Sequence, residues 1–159
     1  IAFAAGPNTG SARTGALRIA NQTFTVTQDG TPPPPPGGTS GNSDVGAVGV
    51  AGSTSEAAGT YTLRGAGADI WSTADAFHFA WEQVTGDWEM EARVASVENV
   101  HAWTKAGVMI RGSLDAGSAH GAMMVTPGKG LAYQYRAATN GVTANISGGS
   151  GAAAADRLR

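Results

Sequence analysis

Residues 103–111 read Trp103-Thr104-Lys105-Ala106-Gly107-Val108-Met109-Ile110-Arg111, and this stretch decides the fold. Val108 and Ile110 point one way while Lys105 and Arg111 point the other, the period of two that belongs to a strand with unlike faces. The same rhythm recurs in Phe77-His78-Phe79-Ala80-Trp81-Glu82, in Trp88-Glu89-Met90-Glu91-Ala92-Arg93-Val94 and in Leu131-Ala132-Tyr133-Gln134-Tyr135-Arg136. Strands are expected near 47–51, 60–65, 76–84, 87–97, 104–112, 119–126 and 130–137. Gly86-Asp87 and Pro127-Gly128-Lys129-Gly130 supply turn chemistry between them. No long segment repeats its apolar residues at the helical period. The fold class is therefore all-β and antiparallel.

The bulk properties exclude several function classes. The net charge is −2 and 14% of the residues are charged, with Lys and Arg scattered rather than clustered. A phosphate-binding surface needs the opposite, so nucleic acid is not an expected partner. There are no cysteines, which removes disulfide scaffolds and cysteine zinc sites together. No apolar run reaches the roughly 20 residues that span a bilayer, so no membrane span is expected. The 24 glycines suit many short strands joined by tight turns. The chain opens at Ile1 in mid-pattern and closes on Asp156-Arg157-Leu158-Arg159, so it reads as a piece of a longer protein.

Three segments follow from composition. In residues 1–30, Leu17 and Ile19 alternate with Arg18, and Phe24 and Val26 with Thr25 and Thr27, so a hairpin is expected with its turn at Ala20-Asn21. Residues 31–43 read as a linker, with Pro32–Pro36 in polyproline II and a Gly/Ser-rich tail. Residues 44–159 hold the main domain. Leu158 is expected to begin a strand, and Ala-rich 152–155 to be a loop before it.

Gly67-Ala68-Asp69-Ile70-Trp71-Ser72-Thr73-Ala74-Asp75-Ala76-Phe77-His78-Phe79, Gly86-Asp87-Trp88-Glu89-Met90-Glu91-Ala92-Arg93-Val94, His101–Arg111 and Val125-Thr126-Pro127-Gly128-Lys129-Gly130 keep an order and spacing that resembles the concanavalin A-like lectin/glucanase superfamily. The resemblance runs from about residue 44 to residue 137 and is to secreted bacterial jelly-roll modules. It implies an antiparallel jelly-roll β-sandwich, here incomplete at its C-terminus. Residues 8–28 resemble the last hairpin of a BACON-type β-sandwich, a module often linked to carbohydrate-active proteins. Together these resemblances imply a non-catalytic carbohydrate-binding, lectin-like module of a secreted or cell-surface multidomain protein. Its partners would be a polysaccharide or glycan and the neighbouring domains of the same chain. The alternatives are a structural spacer or protein-interaction sandwich packed on a catalytic domain, and a glycoside hydrolase.

Alternation sorts the candidate residues into two faces. Phe77, Phe79, Trp81, Trp88, Met90, Ala92, Val94, Val108, Ile110, Leu131, Tyr133 and Tyr135 form the apolar set and are expected to build the inter-sheet core. His78, Glu82, Glu89, Glu91, Arg93, Lys105, Arg111, His120, Gln134 and Arg136 form the polar set, expected to face away from it. A sugar site needs planar hydrogen-bonding groups and an aromatic platform. Arg111, His120, Gln134, Arg136 and His78 are the candidates for the first, and Trp103, with Trp71 or Tyr135, for the second. The competing reading is an ordinary solvated face with cross-strand ion pairs, each contributing only about 0.2–1 kcal/mol.

Catalysis and metal binding are weighed on spacing. Retaining glycosidases need two carboxyls about 5–5.5 Å apart. On this fold they come from acidic residues at i, i+2 and i+4 of one strand. Glu89 and Glu91 fit, but Arg93 occupies the third position, so no catalytic residue is assigned. Asp69 and Asp75 either cap turns or, with Asp44 and backbone carbonyls, hold calcium, which takes about 6–8 oxygen ligands. Turn capping is preferred and no cofactor is assigned. The three histidines show no zinc spacing.

Overall fold

The computed structural model describes residues 12–19, 22–28, 40–87, 89–148 and 157–158. The chain divides into two units, Ile1–Thr39 and Ser40–Arg159. In the first, β1 (Arg13–Ile19) and β2 (Gln22–Gln28) form an antiparallel hairpin in which Leu17 faces Phe24. That is the expected pairing, and its turn at residues 20–21 lies outside the described residues.

The second unit holds β3 (Ser40–Val45), β4 (Ser53–Ala57), β5 (Thr60–Arg64), β6 (Ile70–Trp71), β7 (Ala74–Asp75), β8 (Phe77–Glu82), β9 (Ala92–Arg93), β10 (Ala106–Arg111), β11 (His120–Thr126), β12 (Gly130–Arg136), β13 (Ala144–Ser147) and β14 (Arg157–Leu158). Every pairing is antiparallel and no helix occurs among the described residues, so the fold is all-β. The largest sheet has the order β10-β11-β12-β13. Four two-stranded ladders accompany it in this unit: β3-β8, β4-β5, β6-β7 and β9-β14.

The strongest alternating patterns coincide with the strands that form as expected, namely β5, β8, β10, β11 and β12. At the β11–β12 turn the Thr126 hydroxyl accepts from the Lys129 amide at 3.0 Å and donates to the Gly130 carbonyl at 3.0 Å. Leu158 lies in a strand, as expected, and is buried.

Other expectations need correction. The strand expected at 47–51 is absent. Gly46 and Gly49 adopt positive φ there, and a Cβ on Gly46 would sit 2.1 Å from the Asp75 carbonyl oxygen, so the chain turns instead. The strand begins earlier, because Ser40–Ser43, read as linker, pair with Phe79–Glu82. The strand expected over 87–97 shrinks to Ala92–Arg93, paired with β14. Hairpin β6–β7 and strand β13 were not expected at all, since their Ala- and Ser-rich sequences show little alternation.

A small core lies between the inner face of the large sheet and the segment just before β8. Ile70, Ala122 and Met124 are its buried members, with Phe77 and Met109 packed against them. Phe77 packs as expected, but on the large sheet the expected sorting of faces is reversed. Along β12 the buried residues are Gly130, Ala132, Gln134 and Arg136, while Leu131 and Tyr135 are half-buried and Tyr133 is 39% exposed. Ile110 and Ile146 are 50% and 58% exposed on the same outer face. The reason is electrostatic. A carboxylate is laid over the polar row and pairs with both guanidiniums, while on the apolar face Ile110, Tyr133 and Ile146 stay exposed. Of the apolar set, Trp88 lies outside the described residues.

Candidate functional site

Cross-strand register builds a row of basic side chains. Arg111 of β10 faces His120 of β11, which faces Arg136 of β12, so all three project from the inner face side by side. Two guanidiniums there need a counter-charge. Hairpin β6–β7 delivers it: Ile70 pairs with Asp75 and Trp71 with Ala74, and Ser72 at the tip adopts a φ of 52°. Asp75 is thereby set over the row.

Arg136 grips Asp75 with both ends of its fork, Nη2 to Oδ1 at 2.6 Å and Nη1 to Oδ2 at 2.9 Å. The other donors are spent on the fold. Nε reaches the Gly141 carbonyl at 3.0 Å, Nη1 the Ser118 carbonyl at 3.0 Å, and Nη2 the Thr143 hydroxyl at 3.0 Å and the Ser72 carbonyl at 3.2 Å. Arg111 Nη1 meets Asp75 Oδ2 at 3.4 Å, and its remaining donors reach the Ser113 and Asp115 carbonyls at 2.6 Å each. His120 Nδ1 lies 3.5 Å from Asp75 Oδ2. Burial pushes the His120 imidazole below its ordinary value, opposed by Asp75 and reinforced by both arginines. Burial likewise lowers Arg111, and Asp75 again opposes it.

The structure therefore brings Arg111, His120 and Arg136 together, with Gln134 one row along, but it seals them. Arg136 is 1% exposed and Gln134 2%. They are not groups on an outward polar face, as expected from sequence. They form a buried knot that closes the fold over Asp75. Two polar atoms in it are buried without a partner, His120 Nε2 and Gln134 Oε1. Gln134 otherwise donates to Asn145 on β13 at 3.1 Å.

Trp103 stands apart from the knot. It precedes β10, near the turn after β11, where the Gly128 amide donates to the Ala102 carbonyl at 3.1 Å and Lys129 Nζ lies 5.9 Å from the Trp103 ring centre. Arg111 closes the other end of the 6-residue β10, roughly 17 Å away at 3.3–3.4 Å per residue. Trp103 therefore cannot wall a groove shared with Arg111 and Arg136.

An open cleft of about 420 Å³ lies against hairpin β6–β7. Small residues line it, among them Gly46, Ala47, Ala68 and Ala116, together with Asp69, Trp71 and Ser72. Trp71 is 41% exposed. Lys105 Nζ sits 5.8 Å from the centre of that ring, donates to the Ile70 carbonyl at 3.0 Å and forms a short ion pair with Asp69. Asp69 also accepts from the Ile70 amide at 2.7 Å, the turn-capping role expected of it. Asp75 instead serves the two arginines, and Asp44 a third cluster. Among the described residues no group of three or more acidic, histidine or cysteine side chains is placed to share a metal.

That third cluster contains the last candidate, His78. It faces Asp44 across the β3–β8 ladder. Asp44 Oδ1 lies 2.8 Å from His78 Nδ1, and His78 Nε2 lies 2.9 Å from the Thr54 hydroxyl. The Gly52 amide donates to both Asp44 oxygens at 3.1 Å. A Cβ on Gly52 would come within 2.3 Å of the imidazole, so only glycine leaves room for it. The His78 hydrogen bond, then the Gly52 amide, hold Asp44 below the ordinary carboxylate value.

Sequence reasoning named the arginines and histidines of these clusters but did not find Lys105 and Thr54 as partners. Only register and hairpin placement bring those groups in. Comparison with protein-family profiles, curated proteins and solved structures returned no match.

Proposed function

We propose that the second unit is a non-catalytic carbohydrate-binding module, a concanavalin A-like jelly roll in a secreted or cell-surface multidomain protein, and that its glycan sits in the cleft at Trp71. In this reading the first unit is the end of a BACON-like sandwich and residues 31–39 a spacer. The observation that carries the proposal is Trp71, an exposed aromatic residue on the wall of a cleft, with Asp69 and Lys105 beside it. A pyranose offers an apolar face and a rim of hydroxyls. A fixed indole serves the first, and the exposed Asp69 carboxylate the second. Lys105 is almost fully buried, and its contacts to Asp69 and Ile70 pin the platform to the residue that enters β10. The glycosidase alternative loses support, because Glu89 and Glu91 are exposed residues outside any strand.

One observation favours a second reading, a sandwich packed on a neighbouring domain. The outer face of the large sheet carries exposed Ile110, Tyr133 and Ile146 in one band. Affinity electrophoresis through neutral polysaccharides separates the two. Binding predicts retention that Trp71→Ala removes, with an unchanged melting curve. Equal mobility of the parent and variant in every polysaccharide would leave only the packing reading.

A further inference from the structure

Outside the cleft and the arginine knot, one cluster carries chemistry that neither uses. Asp44, His78 and Thr54 come from three strands, β3, β8 and β4, and line up as acid, imidazole and hydroxyl at 2.8 and 2.9 Å. We propose that Thr54 is a nucleophile for acyl transfer from activated esters, with His78 as its base and Asp44 as the positioning residue.

The imidazole is held from all sides. Its side chain is 3% exposed, Gly52 and Gly65 approach it as only glycines can, and Asp44 is itself fixed by the Gly52 amide. With Asp44 accepting from Nδ1–H, the Nε2 lone pair is left pointing at the Thr54 hydroxyl. A nucleophile within hydrogen-bond reach of a base, which a third group orients, is the arrangement that activates a hydroxyl. Thr54 is half-buried, so a substrate can approach its side chain from solvent while the imidazole behind it stays sealed. Leu63 pairs directly with Thr54 across the β4–β5 ladder and is 48% exposed, an apolar ledge for an acyl chain or aryl leaving group beside the hydroxyl.

The step balances without a further reagent. Thr54 Oγ attacks the acyl carbon as its proton passes to His78 Nε2. The tetrahedral adduct collapses, the bond to the leaving alcohol breaks, and that oxygen takes the proton from His78. A threonyl ester remains. Water then attacks the same carbon while His78 accepts its proton, and Thr54 Oγ leaves and is reprotonated, releasing the acid.

The test is incubation of the whole chain with p-nitrophenyl acetate, followed by mass spectrometry of the peptide that contains Thr54. The expected result is acetylation at Thr54, kept in Thr54→Ser and absent in Thr54→Val. Asp44→Asn, which keeps the shape but presents the wrong hydrogen to Nδ1, slows labelling by about 100-fold, the scale of one lost acid–base contribution. A parent chain with an unlabelled Thr54 peptide and no faster release of p-nitrophenolate than Thr54→Val, or labelling and release that run equally fast in Asp44→Asn, overturns the proposal. Acetyl groups found only on lysines count as an unlabelled Thr54.

Discussion

The two faces of the β10–β13 sheet have the same geometry and opposite fates. The inner face carries Arg111, His120, Gln134 and Arg136 and is sealed; the outer face carries Ile110, Tyr133 and Ile146, which are exposed, and is closed only toward its end at Val125. Composition would have assigned them the other way round. The difference lies in partners. The inner face received Asp75 from the hairpin, and the carbonyls of Ser72, Ser113, Asp115, Ser118 and Gly141 take up the other guanidinium donors. Buried charge is tolerated when it is paired and fully hydrogen-bonded, whatever its hydropathy. Apolar area is buried only when something is laid on it.

The contrast is broken most severely at Asp75. Removing this one carboxylate leaves two buried guanidiniums facing each other and an imidazole beside them. Breaking a buried pair by deleting one partner costs about 3–5 kcal/mol. Asp75→Ala is therefore expected to lower the urea midpoint of the second unit more than a truncation at any other position of the sheet, and Asp75→Asn to do nearly as much. A midpoint within experimental error of the parent would show that the knot is solvated and that the inner face is not sealed.

A matched pair of truncations measures the two faces directly. Met124→Ala deletes a side chain buried against Ile70 and Phe77, and such core truncations cost about 2–5 kcal/mol. Ile146→Ala deletes a similar volume from the outer face, where surface changes stay within about 0.5 kcal/mol. Urea melts of the two variants should differ clearly. Comparable losses would mean that the outer face is covered in solution, which would favour the domain-packing reading of the molecule over the glycan-binding one.

Much of this was legible in the sequence, but unevenly. Alternation placed β8, β10, β11 and β12 and grouped Arg111, Gln134 and Arg136 on one side, because a strand's period fixes which residues share a face. It could not say which face would be buried. That depends on Asp75, which reaches the row through the Ser72-Thr73 turn rather than through any periodicity. The Asp44–His78–Thr54 line was hidden for the same reason, since its members are 34 and 24 residues apart and meet only through strand pairing. The band at 87–97 misled in the opposite direction. Its alternation is good, but among the described residues only Ala92–Arg93 pairs with a strand, and a pattern without a neighbour makes no ladder.

The smallest expected effect is a dependence on pH, and its sign follows from His120. Burial lowers the folded-state value below the ordinary 6.5, so between the two values the unfolded chain binds a proton that the folded chain does not. Stability then rises with pH through that window, and it is lost as pH falls below about 6.5 toward the folded value. Asp44 acts in a separate window. Its folded-state value is lowered from 3.8, so its contribution is present above that and is lost only in stronger acid. Chemical melts between neutral and mildly acidic pH should therefore show a gradual loss that His120→Gln flattens, since an amide fills much of the same space without titrating. The unpartnered Nε2 sharpens the expectation, because a proton added there would enter a site with two guanidiniums nearby and no acceptor at that nitrogen. If the parent and His120→Gln lose stability in parallel as the pH falls, the acid sensitivity belongs to other groups, and the row is less closed than its burial indicates.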